Sequence, residues 1–136
     1  MRTTIFNFIT FSFAMYAATL NAIPNPASQF CVDSGGTLRI ETRGDGGQYG
    51  ICDFGQNNLC EEWALMKGNC PPQGIGITSD MSQPEIYCLI GGGSLSGDQG
   101  ECLLPTGSIC KLEALWMGQC DNLGIIKEPA LEDLTN

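Results

Sequence analysis

The residues with the clearest chemistry in this chain are its eight cysteines, which fall into two groups of four. In each group the last three cysteines are spaced eight and ten residues apart. An even number of cysteines at repeated spacings is typical of a disulfide framework in an oxidising compartment. The groups are Cys31, Cys52, Cys60 and Cys70, followed by Cys88, Cys102, Cys110 and Cys120. The pattern therefore predicts one small cross-linked unit that is present twice.

The amino-terminal segment predicts export. Residues 1–22 begin with Met1 and Arg2, continue as an apolar stretch and end at Ala22, which is the layout of a cleaved secretory signal. The alternative, an uncleaved membrane anchor, is disfavoured because the apolar stretch is short and is interrupted by polar residues. We therefore expect a secreted, extracellular protein without a membrane span after cleavage.

The composition excludes several classes of partner and of chemistry. Fifteen Asp and Glu against six Lys and Arg give a net charge of −9, and such a surface repels nucleic acid and anionic membranes. The chain has no histidine, which removes the Ser-His-Asp and Cys-His catalytic arrangements. Oxidised cysteines disfavour a thiolate nucleophile or a zinc cluster. We predict that the protein is not an enzyme and uses no cofactor and no metal.

Local patterns predict a helix, a hairpin and a second helix in the first unit. Asn25 is a good N-cap before Pro26, and the helix that follows should end at Gly35-Gly36. Residues 37–43 alternate in polarity like a strand, and residues 48–54 read as the returning strand after a glycine-rich turn. The second helix is expected over residues 60–67, since these include strong helix formers and precede a glycine.

The second unit repeats this pattern with a shorter hairpin. Ser82 and Glu85 have capping-box spacing, residues 94–99 allow only a stub, and residues 110–117 match the second helix. The predicted fold is a small disulfide-rich α+β protein with two tandem helix–hairpin–helix units. Its predicted parts are a signal (1–22), the first unit (23–70), a linker (71–80), the second unit (81–120) and an acidic tail (121–136).

The predicted helices limit which cysteines can form a disulfide. If Cys60 and Cys70 bracket a helix, their α-carbons lie about 15 Å apart, which is too far for a bridge. This leaves first-to-third with second-to-fourth, or first-to-fourth with second-to-third. We predict the former, with two intra-unit bridges in each unit: Cys31–Cys60, Cys52–Cys70, Cys88–Cys110 and Cys102–Cys120.

The motifs of the first unit resemble a known family. The segment Asn25-Pro-Ala-Ser-Gln-Phe-Cys31, the following Gly pair, and Cys60-Glu-Glu-Trp-Ala-Leu-Met-Lys-Gly-Asn-Cys70 are similar to a small secreted bacterial cysteine-rich domain of unknown function. That domain often carries a hemolysin label, although nothing here resembles a pore-forming segment. The second unit matches less fully, since Glu113 stands where the first has Trp63. The resemblance implies two tandem copies and transfers no catalytic residue.

The most specific candidate binding residues are Arg43, Gly44 and Asp45 at the tip of the predicted hairpin, together with Arg39 on its first strand. An exposed Arg-Gly-Asp resembles an adhesion tripeptide in which a cation and a carboxylate are held apart. The plainer interpretation is that glycine and aspartate form the turn.

Two further groups have structural interpretations. Glu61 and Glu62 are expected to favour the dipole of the second helix rather than to act as an acid and a base. The large apolar side chains of the second helices are expected in the core rather than on a ligand-binding face. They are Trp63, Leu65, Met66, Leu115, Trp116 and Met117.

Three functions remain open. We expect a secreted, non-enzymatic, disulfide-stapled binding or structural module that contacts an extracellular protein or a component of a matrix, wall or envelope. The first alternative is a protease inhibitor that presents a loop with Arg39 or Arg43, or with Leu103-Leu104. The second is an adhesion ligand that uses Arg43-Gly44-Asp45.

Overall fold

The computed structural model describes residues 25–97 and 100–120, so the predicted signal and the acidic tail lie outside the described residues. The first unit contains two helices and four strands. In chain order they are α1 (Pro26–Asp33), β1 (Thr37–Thr42), β2 (Gln48–Asp53), β3 (Asn58–Glu61), α2 (Glu62–Met66) and β4 (Ile75–Gly76). The second unit contains α3 (Gln83–Ile90), β5 (Ser94–Ser96), β6 (Glu101–Leu103), β7 (Ile109–Lys111) and α4 (Leu112–Trp116).

The first helix of each unit begins at the predicted cap. The Asn25 side chain accepts a hydrogen bond from the Ala27 amide at 3.0 Å. The Ser82 hydroxyl and the Ser82 amide each donate to the Glu85 carboxylate at 2.7 Å. The bond from the hydroxyl, followed by the bond from the amide, lowers the pKa of Glu85. These caps satisfy backbone donors that the first helical turn leaves free.

Antiparallel sheets replace the predicted simple hairpins. The first sheet has the order β1-β2-β3-β4 and the second has the order β5-β6-β7. A third strand thus follows each hairpin, and α2 and α4 begin two residues later than predicted, at Glu62 and Leu112. The helix–hairpin–helix description is therefore wrong, while the small disulfide-rich fold with mixed helix and sheet is confirmed. The predicted linker is also partly ordered in the sheet, because Ile75 pairs with Leu59.

The predicted disulfide pairing is wrong as well. The bridges run first-to-second and third-to-fourth in both units: Cys31–Cys52, Cys60–Cys70, Cys88–Cys102 and Cys110–Cys120. The error came from placing Cys60 in a helix. Cys60 lies in β3, α2 is only five residues long, and the amides of Asn69 and Cys70 both donate back to the Ala64 carbonyl. The α-carbons of Cys60 and Cys70 are consequently 5.9 Å apart, within reach of a bridge.

The bridges form much of the core. In the first unit the four cysteines pack with Ala64 and Leu65, and Leu38, Phe54 and Ile75 cover that cluster. Each bridge ties a helix, or the turn after it, to a strand. In so small a domain covalent links of this kind replace a large apolar core. None of the helices in the described ranges is both long and apolar enough to cross a membrane.

Candidate functional site

A groove of about 360 Å³ runs between the two units. One wall comes from α2 and the turn after it, and the other comes from α3, α4 and the turn after β6. The polar and aromatic residues that line it include Glu61, Trp63, Lys67, Asn69, Tyr87 and Thr106. Clefts between packed units that combine apolar walls with a few polar groups are common ligand sites. This groove is the candidate binding site.

The first-unit wall offers an indole and charged groups. Trp63 is 40% exposed although it belongs to α2, so its ring is accessible in the groove. Glu61 is the N-cap of α2 and accepts a hydrogen bond from the Ala64 amide at 2.8 Å. Burial raises the pKa of Glu61, while the bond from Ala64 opposes that shift. Glu61 is therefore committed to holding the helix, which supports its predicted structural role.

The hairpin of the first unit is docked on the second unit. Arg43 Nη1 lies 3.4 Å from the hydroxyl of Tyr87 and its guanidinium stands 6.0 Å from the centroid of that ring. A Cβ added at Gly44 would lie 2.6 Å from the Trp116 ring, so only glycine allows this close approach. The hairpin tip therefore contacts α3 and α4.

Three aromatic rings form the centre of this contact. Tyr49 of β2 lies edge-on to Tyr87 with 5.0 Å between ring centroids, and Trp116 lies 5.6 Å from Tyr87 and 6.3 Å from Tyr49. Edge-to-face packing of this kind adds about 0.5–1.5 kcal/mol per pair beyond area burial. Burial raises the pKa of Tyr49 to about 12, with a contribution from Glu41. This aromatic cluster fixes one unit against the other beside the groove.

The charges of Arg43 and Asp45 form an ion pair at the hairpin tip. Arg43 Nη2 and Asp45 Oδ2 are 2.9 Å apart, so the cation and the carboxylate bind each other. Asp45 also accepts a hydrogen bond from the Gly47 amide, which is the main cause of its lowered pKa, with Arg43 as a further cause. The charges that the adhesion alternative holds apart are therefore paired, and the bond from Gly47 supports the preferred interpretation of Asp45 as a turn residue.

Arg39 is engaged within its own sheet. Its guanidinium pairs with Glu41 at 3.0 Å and with Asp53 at 3.3 Å on the exposed side of the sheet. Arg39 lies in the edge strand β1, some distance along the hairpin from the docked tip. The structure thus does not bring Arg39 together with Arg43, Gly44 and Asp45 at one site.

A buried carboxylate explains why the opening motif of the first unit has its residues. Glu62 is only 5% exposed and accepts hydrogen bonds from Asn25 Nδ2 at 2.9 Å and from the Ser28 hydroxyl at 2.6 Å. A Cβ on Gly50 would lie 2.5 Å from the Glu62 carboxyl carbon. Glu62 therefore joins α1, β2 and α2, and the prediction of a mere dipole contact missed this role. A Glu at the start of α2, combined with two polar donors before Cys31, was the available signal.

The core prediction for the second helices is right only in part. Leu65 is buried, whereas Trp63, Met66 and Met117 are each about two-fifths exposed. Each helix has only five residues, and α2 buries Ala64 and Leu65 among its apolar residues, whereas no residue of α4 is buried. Trp63 and Leu115 instead line the groove, and Trp116 belongs to the aromatic cluster.

Within residues 25–97 and 100–120 there is no set of three acidic or cysteine side chains placed to hold a metal ion. All eight cysteines are in disulfides. The groove thus offers recognition by an indole, an ammonium, an amide and a hydroxyl group.

The first unit matches a known family. The sequence profile of DUF333, a domain of unknown function, matches residues 22–69. This match supports a small, uncharacterised, cysteine-rich domain family for that part of the chain. Searches of curated proteins and of solved structures found no significant match.

Proposed function

We propose that this protein is an exported, non-enzymatic binding module whose ligand lies in the groove between the two units. The observation that carries this proposal is Trp63, which is 40% exposed in a groove lined by residues of both units. An accessible indole beside Lys67 and Asn69 gives a ligand both apolar contact and hydrogen bonds. The expected ligand is a component of an extracellular matrix, wall or envelope, or a protein attached to it.

Export is supported by the cross-links. Four disulfides fit an oxidising compartment, and residues 1–22 have the layout of a secretory signal. The proposal of a non-enzymatic role is supported by the state of the reactive groups. The cysteines are oxidised, the chain lacks histidine, and the groove carboxylate Glu61 caps a helix.

We also propose that the second unit is a diverged copy of the first. Both contain a helix, three antiparallel strands and a short helix, with the same disulfide pairing. Tyr87 takes the place of Phe30, and Trp116 takes the place of Met66 when the cysteines are aligned. Divergence at these positions created the aromatic surface on which the hairpin docks.

The binding proposal is tested by sedimentation of the oxidised protein with insoluble matrix or envelope material. Trp63→Ala should lower the bound fraction about tenfold, because an aromatic anchor in a desolvated site dominates binding. Leu103→Ala is the matched control, since Leu103 is also 40% exposed but does not line the groove. Equal retention of wild type and Trp63→Ala would contradict the proposal, provided that both proteins retain their circular dichroism spectra.

The second candidate function is protease inhibition through the loop that contains Leu103-Leu104. Arg39 and Arg43 are engaged in ion pairs, which leaves Leu103-Leu104. Two hydrogen bonds make the turn after Leu104 rigid. The Leu104 amide donates to the Ser108 carbonyl at 2.8 Å, and the Leu104 carbonyl accepts from the Gly107 amide. A rigid loop lowers the entropy lost on binding. Inhibition of a serine or cysteine protease that is abolished by Leu104→Asp would support this function, and no inhibition at micromolar concentration would exclude it.

A further inference from the structure

The outer face of the first two helices carries an unfilled groove. About 330 Å³ of space lies between α1, α2 and the Pro71-Pro72 turn. Phe30 and Met66 line it and are each 42% exposed. Two large apolar side chains on one face of so small a unit form a patch that favours a protein partner.

The chain itself shows what docks on a face of this kind. When the units are aligned on their cysteines, Phe30 corresponds to Tyr87, Met66 to Trp116 and Gly68 to Gly118. In the second unit those three positions receive the β1–β2 hairpin. Tyr87 and Trp116 pack on Tyr49, and a side chain at Gly118 would collide with Asp45. In the first unit the corresponding three positions line the open groove.

We infer that this α1/α2 face binds a β-hairpin of another protein that carries an aromatic side chain beside its tip. The second unit's own hairpin is too short to provide such a contact, because β5 and β6 have three residues each. The long β1–β2 hairpin of a second copy is already engaged on its own α3 and α4, with an aromatic cluster that the α1/α2 face lacks. The partner is therefore a different protein.

One substitution between the faces changes the chemistry that the tip meets. Phe30 has no hydroxyl group to accept a hydrogen bond, as Tyr87 does from Arg43. The residues that line the α1/α2 groove include no charged side chain that could replace that hydroxyl group. The α1/α2 face therefore favours a hairpin whose tip lacks arginine.

A cyclised peptide of residues 39–51 with Arg43→Ala provides a defined probe, titrated into the full oxidised chain. Cyclisation is needed because an isolated two-stranded hairpin is only marginally stable. Binding is followed by NMR of the methionine methyl groups. We expect the Met66 methyl signal to shift while that of Met117 stays in place, and the peptide that retains Arg43 to bind more weakly.

Substitutions at two exposed positions of the first unit distinguish specific binding at this face from nonspecific hydrophobic binding. Met66→Glu should weaken binding of the probe at least about tenfold, and Phe30→Ser should act in the same direction. Val32→Ser is the control, because Val32 is 55% exposed on α1 but does not line the groove, and it should change the affinity less than about twofold. Each variant is compared after its amide spectrum shows the native fold.

Three results would overturn the inference. The first is the absence of a Met66 shift up to the solubility limit of the probe. The second is a shift of Met117 alone, which would mean that the probe only displaces the chain's own hairpin. The third is an equal loss of affinity in Val32→Ser and Met66→Glu.

Discussion

Apart from β4, which only the first of the two described units contains, the two units have the same order of helices and strands but stabilise their helices differently. In the first unit the buried Glu62 binds Asn25 and Ser28 and thus holds α1 to α2. In the second unit Leu112 stands at the corresponding position. Glu85 instead accepts a hydrogen bond from the amide of Ser82, the N-cap of α3. The first unit therefore has an internal polar anchor, whereas the second lacks that anchor and receives the first unit's hairpin on its helices.

From this difference we expect the second unit to depend on the first for its stability. Its hairpin is short, and the aromatic rings of α3 and α4 are covered by Tyr49 from the other unit. An exposed aromatic pair would be a costly feature in an isolated domain of this size. The interface between the units thus lies beside the groove that Trp63 lines.

The largest expected effect is the loss of a disulfide from the dependent unit. Replacing both Cys88 and Cys102 by serine should cost about 2–5 kcal/mol of unfolding free energy, as for other small cross-linked domains. The same change at Cys31 and Cys52 should leave more residual structure, because Glu62 still holds the helices of the first unit. Hydrogen exchange of backbone amides measures both. A greater loss of protection from hydrogen exchange in the Cys31/Cys52 variant would contradict the proposed difference between the two units.

The anchor itself is tested by Glu62→Ala, which should lower the free energy of unfolding by about 2 kcal/mol because it removes the hydrogen bonds that Asn25 and Ser28 donate to a buried carboxylate. Leu112→Ala is the matched change in the second unit. This change should lower the free energy of unfolding by less, because Leu112 is only half-buried and its apolar side chain has no hydrogen-bond partner that would be left unpaired. Urea unfolding at neutral pH gives both values, and equal costs would show that Glu62 is not an anchor.

The docked tip is tested by Gly44→Ala. The added methyl group would overlap Trp116, so we expect a loss of about 1 kcal/mol and a change in Trp116 fluorescence. Gly76→Ala is the control, because its nearest neighbour would be 3.6 Å away. If both variants behave alike, the tip does not depend on close contact with Trp116.

The smallest predicted effect is a pH dependence that depends on Tyr49. Its pKa in the folded protein, about 12, lies above the usual value of about 10, so folding favours the neutral phenol. The resulting stability is complete below pH 10 and is lost as the pH rises towards 12. Ultraviolet titration of tyrosinate should show a late step that Tyr49→Phe removes. Retention of that step in the variant would contradict the assignment.

Much of the local structure followed from short-range patterns. The Asn25 cap, the Ser82–Glu85 capping box and the two long strands depend on neighbours in sequence, and all four are confirmed. The third strands were missed because Asn58–Glu61 is short and runs directly into a helix. That one error shifted Cys60 from a strand to a helix and led to the wrong disulfide pairing.

The interface could not be predicted in the same way. The Arg43-Gly44-Asp45 sequence fits both a free tip and a docked one, and the choice depends on Tyr87 and Trp116, which are distant in sequence. The groove likewise depends on the relative position of two units, which periodicity and spacing do not encode. The sequence feature that indicates the groove is Trp63, a large aromatic residue in a helix of only five residues.

The central claim is that the hairpin of the first unit fixes the second unit beside the groove. It is tested most directly by nuclear Overhauser effects between the ring protons of Tyr49 and those of Tyr87 and Trp116 in the oxidised protein. Centroid separations of 5.0 and 6.3 Å predict cross-peaks to both rings. Absence of both cross-peaks, together with independent tumbling of the two units, would contradict the account.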